Sequence, residues 1–577
     1  MKNIILLLGV IASLLCSTSC KKDFLQRDPG VAIDLQKIFS DPVLAAKFGD
    51  ESYNYLWNDF CTIGVNTANN AVASGTTRVN WFFSNECIDS HNNSVQTLYI
   101  QRGIYLEDTQ VNLGASEKYT EIKGSWQRAY QGIRNTSRML EEMDKVTWTT
   151  EQSPDRIKGE QYFIRAFMYF ELIKRFGGVI IYPKVLSTTD NADLPRNTYQ
   201  ECLDYILGDL AKAEPLLPLD YDANSYGRAT KGAVKALRSR VLLYSASYRD
   251  NPTGDKTKWA AAAAAAKDLI NNMKDLYPLE ATNTNILKYA LKKEFIFCMP
   301  KTQRGYDLMF LVQSTTNNRG GNGFGNAMPT QSHVNLYEMA NGKPITDPTS
   351  GYDPQNPYVG RDPRFYENIL YNGTQWGSSP IQTWQSEDGK TLGADMRQGA
   401  AFLGSYFIRK LWAVETQLGG SNQFVHFPIF RMAEIWLNYA EAQNEAVGPD
   451  ASVYDAVNQI RRRAKFANGV SMADLPAGLT QSLMRERIRN ERAVELAFEN
   501  GRWFDIMRWG IGKDILNGST RQMKIIKQAD GTFRYEEYDL PSGWDHTFIE
   551  RQNYYPIPVD EIQKSAGVLK QNKGWEM

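Results

Sequence analysis

Through most of residues 119–273 apolar positions recur at three- and four-residue intervals, the spacing of one buried helical face. Over 119–146 the stripe is Trp126, Tyr130, Ile133, Met139, Leu140 and Met143, which predicts a helix with a break near Asn135. Residues 154–176 predict a second helix, with Ile157, Phe163, Ala166, Phe167, Phe170 and Ile173 on its apolar face and Gly177-Gly178 as its stop. A short β-like piece over 179–182 follows and ends at Pro183. A third helix spans 198–217, with Thr198 as N-cap and Glu201 at the capping-box spacing. A fourth, over 230–248, again opens on a threonine; a fifth includes Trp259 and the alanine run 260–266. Helical patterns return over 428–447, 452–465 and 480–500, and the prolines of Tyr554-Tyr555-Pro556-Ile557-Pro558 predict an extended close.

Between 300 and 422 the pattern breaks down. Gly, Asn, Pro, Ser and Thr are dense, as in 319–325, and Tyr306, Phe310, Trp376, Trp384 and Trp412 are scattered among predicted turns. Long irregular stretches in compact proteins are functional or disordered, and so many aromatics argue against disorder. These are the first candidate ligand-contacting loops. Helix pairs with Ala at their contacts and Trp, Tyr or Phe filling the gaps follow the logic of tetratricopeptide packing, in which a pair buries its apolar face only by stacking on its neighbour. No strict 34-residue period survives. The predicted class is mostly α: a tetratricopeptide-like helical array (an α-α superhelix) decorated with long irregular loops and a few short strands.

Composition narrows the function classes. The 65 basic and 65 acidic residues cancel, which is no footprint for a nucleic-acid partner. Four histidines (His91, His333, His426, His546) form no close pair with each other or with cysteine at zinc-ligand spacing, so no metal and no cofactor is predicted. Neither a phosphate-binding G-x-x-x-x-G-K-[ST] loop nor a G-x-S-x-G elbow occurs. Cys61, Cys87, Cys202 and Cys298 are scattered and read as buried thiols, not as a disulfide scaffold. The N-terminus says most about location. Lys2 precedes an apolar run over 4–15, too short to span a ~30 Å hydrocarbon core, and Ser17, Thr18 and Ser19 lead into Cys20. This resembles a bacterial lipobox, which implies a signal peptide over 1–19 and a lipid on Cys20. An ordinary signal peptide is the alternative.

Several blocks carry a family resemblance. They are Phe430-Arg431-Met432-Ala433-Glu434-Ile435-Trp436-Leu437-Asn438-Tyr439-Ala440-Glu441-Ala442, Ile460-Arg461-Arg462-Arg463-Ala464, and the run from Ile488 to Glu499. Gly501-Arg502-Trp503-Phe504-Asp505, Tyr555-Pro556-Ile557-Pro558 with Glu561-Ile562, and Gln571-Asn572 with Gly574-Trp575 follow in order. Arg361-Asp362-Pro363-Arg364-Phe365 and the segment 159–178 fit as well. Together they resemble the SusD/RagB family of outer-membrane lipoproteins. The resemblance implies one domain over 20–577: an N-terminal part over about 30–300 with most helix pairs, a loop-rich insertion over about 301–427, and a C-terminal part over about 428–577. It also implies a lipid-anchored, surface-exposed place on the outer membrane, capture of oligosaccharide or polysaccharide, and a lid-like partnership with a TonB-dependent (SusC-like) transporter. The resemblance implies a binding protein, not an enzyme. A tetratricopeptide-type surface protein that binds peptides or partner proteins is the alternative, and a secreted hydrolase a third.

Glu491 and Glu495 lie one helical turn apart, the spacing of a carboxylate pair. Arg487 and Arg492 are ready ion-pair partners, and Val494, Ala497 and Phe498 predict that the helix is buried. A structural ion network of Glu491, Arg492, Glu495, Arg502 and Asp505 is therefore favoured over acid/base catalysis, and no catalytic residue is assigned. A sugar site wants exposed aromatics beside polar groups. The N-terminal loop Arg78-Val79-Asn80-Trp81-Phe82-Phe83, with Glu86, Asp89, Ser90, His91, Asn92 and Asn93, has that character. The candidate glycan contacts are Trp81, Asp89, His91 and Asn92, with Phe324, Trp376 and Trp384 from the long loops. For each tryptophan, buried packing is the competing reading.

Overall fold

The computed structural model describes residues 35–56, 80–89, 100–103, 121–222, 225–284, 286–287, 293–301, 327–396, 404–410, 425–499 and 501–576. Its main helices are α1 (Pro42–Glu51), α2 (Glu121–Glu142), α3 (Pro154–Phe176), α4 (Tyr199–Leu216), α5 (Lys231–Ala246) and α6 (Lys256–Met273). After the loop-rich middle come α7 (Pro363–Asn368), α8 (Met432–Val447), α9 (Ala451–Arg463), α10 (Gln481–Glu495) and α11 (Arg502–Trp509). From α2 to α6 each helix packs on the next; α6 then packs on α8, and α8 on α9 and α10. This is a mostly α, tetratricopeptide-like array.

Local sequence sets the helix ends. Thr198 and Glu201 close a reciprocal capping box: the threonine hydroxyl accepts the Glu201 N–H at 3.2 Å, and the Glu201 carboxylate accepts the Thr198 N–H at 2.7 Å. Thr230 caps α5, Asp255 caps α6, Asp450 caps α9 and Thr480 caps α10. Helix α3 starts with Pro154 and ends at Gly177, whose φ of +73° suits a residue without Cβ. From Phe163 to Phe176 it is buried on almost every side, as a central helix of an array must be. Ala262, Ala263 and Ala266 are buried where α6 meets its neighbours, and small side chains let helices approach closely there.

Between the helices lie short strands: β1 (Cys87–Asp89), β2 (Phe295–Lys301), β3 (Ala327–Pro329), β4 (Ile369–Leu370), β5 (Gln375–Trp376), β6 (Ser379–Pro380), β7 (Gln385–Ser386), β8 (Phe407–Ile408), β9 (Val425–Arg431), β10 (Arg521–Lys527) and β11 (Phe533–Asp539). β2 pairs antiparallel with β9, β1 with β3, β4 with β8 and β5 with β6; β10 sits between antiparallel β11 and parallel β7.

Four expectations need correction. Helix α2 runs unbroken through Asn135, because that side chain bonds to the end of α1 and the turn after it (Ser52 Oγ at 2.8 Å) instead of competing for its own backbone. Residues 179–182 are extended but pair with no strand; Asn197 and the Tyr169 hydroxyl take their backbone N–H groups. Residues 428–431 belong to β9, since pairing with β2 overrides the helical pattern, and α8 starts only at Met432. Helix α10 stops at Glu495, ahead of Phe498, whose φ is +60°. The hairpin of β10 and β11 was not foreseen.

One close approach is decisive for the turn after α3. A Cβ on Gly178 would lie 2.2 Å from the Asn197 carbonyl oxygen, which is backbone and cannot swing aside. Gly178→Ala is therefore expected to lower unfolding free energy by about 1–3 kcal/mol, measured by urea denaturation; an unchanged midpoint would refute this packing.

Candidate functional site

Two arrangements bear on the site: a buried network of charged side chains, and a shelf of half-buried aromatic rings drawn from the loop-rich middle and the C-terminal part.

On α10, Glu491 and Glu495 project from one face, as residues four apart on a helix do. They are 1% and 2% exposed. Arg364 Nη1 donates to Glu491 Oε1 at 2.5 Å and to Glu495 Oε2 at 3.2 Å. Arg461 Nη1 holds Glu491 Oε2 at 2.9 Å; Arg431 Nη1, at 2.9 Å, and Arg463 hold Glu495 Oε1. These arginines come from α7, α9 and β9. Beyond them, Glu294 takes Arg431 and Arg463, Glu338 takes Arg461 and Arg487, Asp362 takes Arg364, and Glu499 takes Arg431 and Lys410. Six carboxylates (Glu294, Glu338, Asp362, Glu491, Glu495, Glu499) thus face six cations (Arg364, Lys410, Arg431, Arg461, Arg463, Arg487), so the charges within this group balance.

A second group binds α11 to its neighbours. Asp505 Oδ2 accepts from Arg492 Nε at 2.7 Å and Oδ1 from Arg508 Nε at 2.9 Å, while Arg508 Nη2 reaches Glu441 Oε2 at 2.7 Å. The expected membership of Arg502 is corrected: among the described residues it forms no ion pair with either group, although Asp505 acts on it electrostatically, and its Nε donates to Asn85 Oδ1 at 3.3 Å. Burial by itself raises the pKa of Glu495, but Arg463, Arg431 and Arg364 more than reverse this and hold it well below the usual carboxylate range. Neither Glu491 nor Glu495 has a free face for a substrate, so the arrangement is one of structural ion pairs.

The shelf is built on a small apolar cluster of Ile88, Met328, Leu370, Ile381, Phe407 and Leu540, against which Trp376, Tyr538 and Trp544 pack while half exposed. Short pairings assemble it: β1 on β3 brings Ile88 to Met328, and β4 on β8 brings Leu370 to Phe407. Trp376 stands on the β5–β6 hairpin, whose turn uses Gly377 at φ +60°. Each of these three side chains is half-buried, covered in part by the cluster; a partly accessible aromatic can meet the C–H face of a sugar.

The sequence-predicted contacts fall in three groups. Trp81 is a correction: it is 0% exposed and packs edge-on to Phe82 and Phe498, so its ring has no surface to offer a ligand. Asp89 ends β1 opposite Ala327, one residue from the shelf cluster's Ile88. Trp384 is half-buried but stands on the main core, with Lys527 Nζ 4.6 Å from its ring centroid. Trp376 packs against this main core as well as against the small cluster, whereas Tyr538 and Trp544 pack on the small cluster. Cys20, His91, Asn92 and Phe324 lie outside the described residues. Tyr538 and Trp544 were missed: Tyr538 sits on the unforeseen β11, and Trp544 follows the turn-forming Pro541-Ser542-Gly543 outside the stretch 300–422 where loop contacts were expected. Among the described residues no group of His, Cys, Asp or Glu is arranged to hold a metal, and no helix is long and apolar enough to cross a membrane. Cys87, Cys202 and Cys298 are buried free thiols.

This architecture defines a helical array with short strands and loops set between its helices. Comparison with known proteins identifies the class: residues 293–575 match the SusD family, and residues 65–244 match the family described as starch-binding, associating with the outer membrane. The chain belongs to the SusD/RagB family. It is similar to a SusD-like protein of Bacteroides ovatus, at 24% identity over 97% of this chain and 93% of the relative. Among solved structures it resembles a SusD-like protein from Bacteroides fragilis, at 27% identity with a TM-score of 0.72, covering 94% of this chain and 99% of that one. It also resembles surface glycan-binding protein A from Bacteroides thetaiotaomicron in complex with laminarihexaose, at 17% identity and a TM-score of 0.60 over 92% and 98% of the two chains.

Two predictions test the charge network. Glu495→Gln leaves Arg431, Arg463 and Arg364 short of a buried anion, and is expected to cost about 3–5 kcal/mol of stability in denaturant unfolding. A loss below about 1 kcal/mol would show that the pairing is not structural. Glu441 is also buried, which raises its pKa, but Arg508 and Trp509 pull it down to about 2. A depressed carboxylate stabilises the fold above its unfolded pKa, and that contribution is lost as pH falls toward about 2. Thermal midpoints are therefore expected to fall between pH 5 and 2, and less steeply in Glu441→Gln; parallel curves would refute the assignment.

Proposed function

We propose that this chain is a cell-surface glycan-binding lipoprotein, anchored through lipid on Cys20, that captures oligosaccharide or polysaccharide and delivers it to a TonB-dependent outer-membrane transporter. It acts by binding and leaves the glycosidic bond intact. The observation that carries the reading is the shelf of Trp376, Tyr538 and Trp544: three half-exposed rings held on a small apolar base by separate chain segments. Rings fixed in this way lose little freedom when a ligand arrives, so stacking energy is retained as affinity. Membership in a family described as starch-binding and outer-membrane-associated supports the same reading, as does the likeness in fold to a protein solved with laminarihexaose. Asp89, Trp384 and the loop residues His91, Asn92 and Phe324 are proposed as accessory contacts.

The test is isothermal titration of the purified protein against a panel of plant, algal and host oligosaccharides. Trp376→Ala and Trp544→Ala are expected to weaken binding about tenfold or more each, or about 1.4 kcal/mol, with an unchanged thermal midpoint. Glycan binding that both variants leave intact would remove the shelf from the site. Binding of peptides and of no glycan would favour a tetratricopeptide-type peptide receptor. Co-purification with a barrel transporter from the native membrane tests delivery.

A further inference from the structure

One buried acid takes no part in either charge group. Glu86 lies fully inside the protein, on the segment that leads into β1. Its Oε1 accepts the backbone N–H of Phe498 at 2.9 Å. Its Oε2 lies 3.1 Å from Ser84 Oγ, which is also 3.1 Å from the Trp81 carbonyl oxygen and accepts the Glu86 N–H at 3.2 Å. Ser84 has a single hydroxyl hydrogen and two lone pairs. If Glu86 is ionised, that hydrogen faces two acceptors and one 3.1 Å contact goes unmade. If Oε2 carries a proton, Glu86 donates to Ser84, Ser84 donates to Trp81, and every group is satisfied.

We propose that Glu86 is a neutral carboxylic acid whose proton completes the Glu86–Ser84–Trp81 relay inside residues 81–86, and that loss of this proton to bulk solvent leaves a buried carboxylate without an ion pair among the described residues, whose desolvation cost loosens the segment and with it the contact to Phe498. The fastening matters mechanically. Phe498 holds a left-handed φ of +60°, strained for a bulky side chain, and Glu86 satisfies its amide. Thr330 fixes the same segment from β3's side, through Asn85 O at 2.5 Å and Glu86 O at 2.9 Å.

The surroundings agree with a neutral acid. Arg502 and Lys410 are the nearest cations, and both favour the ionised form. Arg502 is directed to Asn85, and Lys410 to Glu499 and to the carbonyls of Glu495 and Ala497. The remaining titratable neighbours are uncharged: burial pushes the Cys87 thiol and the Tyr337 hydroxyl up, and it pushes His333, whose ring lies tilted against Phe498, down to about 3. Burial raises Glu86 to about 7, outweighing together the Phe498 N–H, Arg502, the Ser84 hydroxyl and Lys410, which all favour the carboxylate. The sign follows: a carboxyl raised in the folded state lends stability below its unfolded pKa, and that stability is lost as pH climbs toward about 7. The inference stands whatever ligand the protein binds.

Glu86→Gln is the diagnostic variant, because a glutamine mimics the protonated acid: its oxygen can accept from Phe498 and its amide can donate to Ser84. From pH 5 to pH 8 the unfolding constant of the wild type is expected to rise roughly 10- to 100-fold more than that of the glutamine variant, and at pH 8 the variant is expected to be at least as stable as the wild type. A variant destabilised equally at both pH values would overturn the proposal and make Glu86 an ionised partner of Arg502. Should the variant not fold, hydrogen exchange at the Phe498 amide of the wild type, corrected for its intrinsic rate, decides: protection lost between pH 5 and 8 supports the pin, and constant protection defeats it.

Discussion

The buried carboxylates of α10 and the arginines that converge on them are the constraint from which the other features follow. Moving each ion out of water costs several kcal/mol even after relaxation, so a network of this kind adds little net stability over an apolar core. Its consequence is specificity. Arg364 reaches Glu495 across 131 residues of chain, Arg431 across 64, and Arg461 reaches Glu491 across 30. A shifted register for α7, α9 or β9 would leave a buried charge alone, which is far more costly than a lost apolar contact. The pairing therefore selects one arrangement of these segments.

From that anchored helix the constraint passes outward. Lys410, held by Glu499, also takes the carbonyls of Glu495 and Ala497 and so closes the end of α10. The chain then turns through left-handed Phe498, whose amide meets Glu86. Glu86 leads directly into β1, whose Ile88 belongs to the base of the aromatic shelf. The rigid array and the proposed binding surface are thus joined by a short run of hydrogen bonds. Strands of two or three residues suffice for the shelf because each pairs with a partner strand and the paired residues pack in one apolar cluster.

Legibility differed with the range of the interaction. The bounds of α3 and the capping box of α4 could be read directly, because proline, glycine, threonine and glutamate act there on groups within four residues. The same local signals misled at Asn135 and Pro428, where α1 and β2 supplied partners from far along the chain. The aromatics divided likewise. Trp81 and Trp376 both sit in sequence without clear periodicity and were both expected to be ligand contacts, yet one is sealed in the core and the other half-buried. Exposure of a ring depends on what folds over it, and its own neighbours in sequence carry no record of that.

Taken by itself, then, the order of residues determined the helices, their caps, the α-rich class and the family, since each rests on periodicity or on blocks of adjacent residues. Only the tertiary structure decided which charges meet, why Glu491 and Glu495 have no face left for a substrate, which rings form a shelf, and that Glu86 shares its hydrogen-bonding with Ser84 and Phe498. Those outcomes depend on desolvation and on partners that approach through space, and both come into being only when the chain has closed around them.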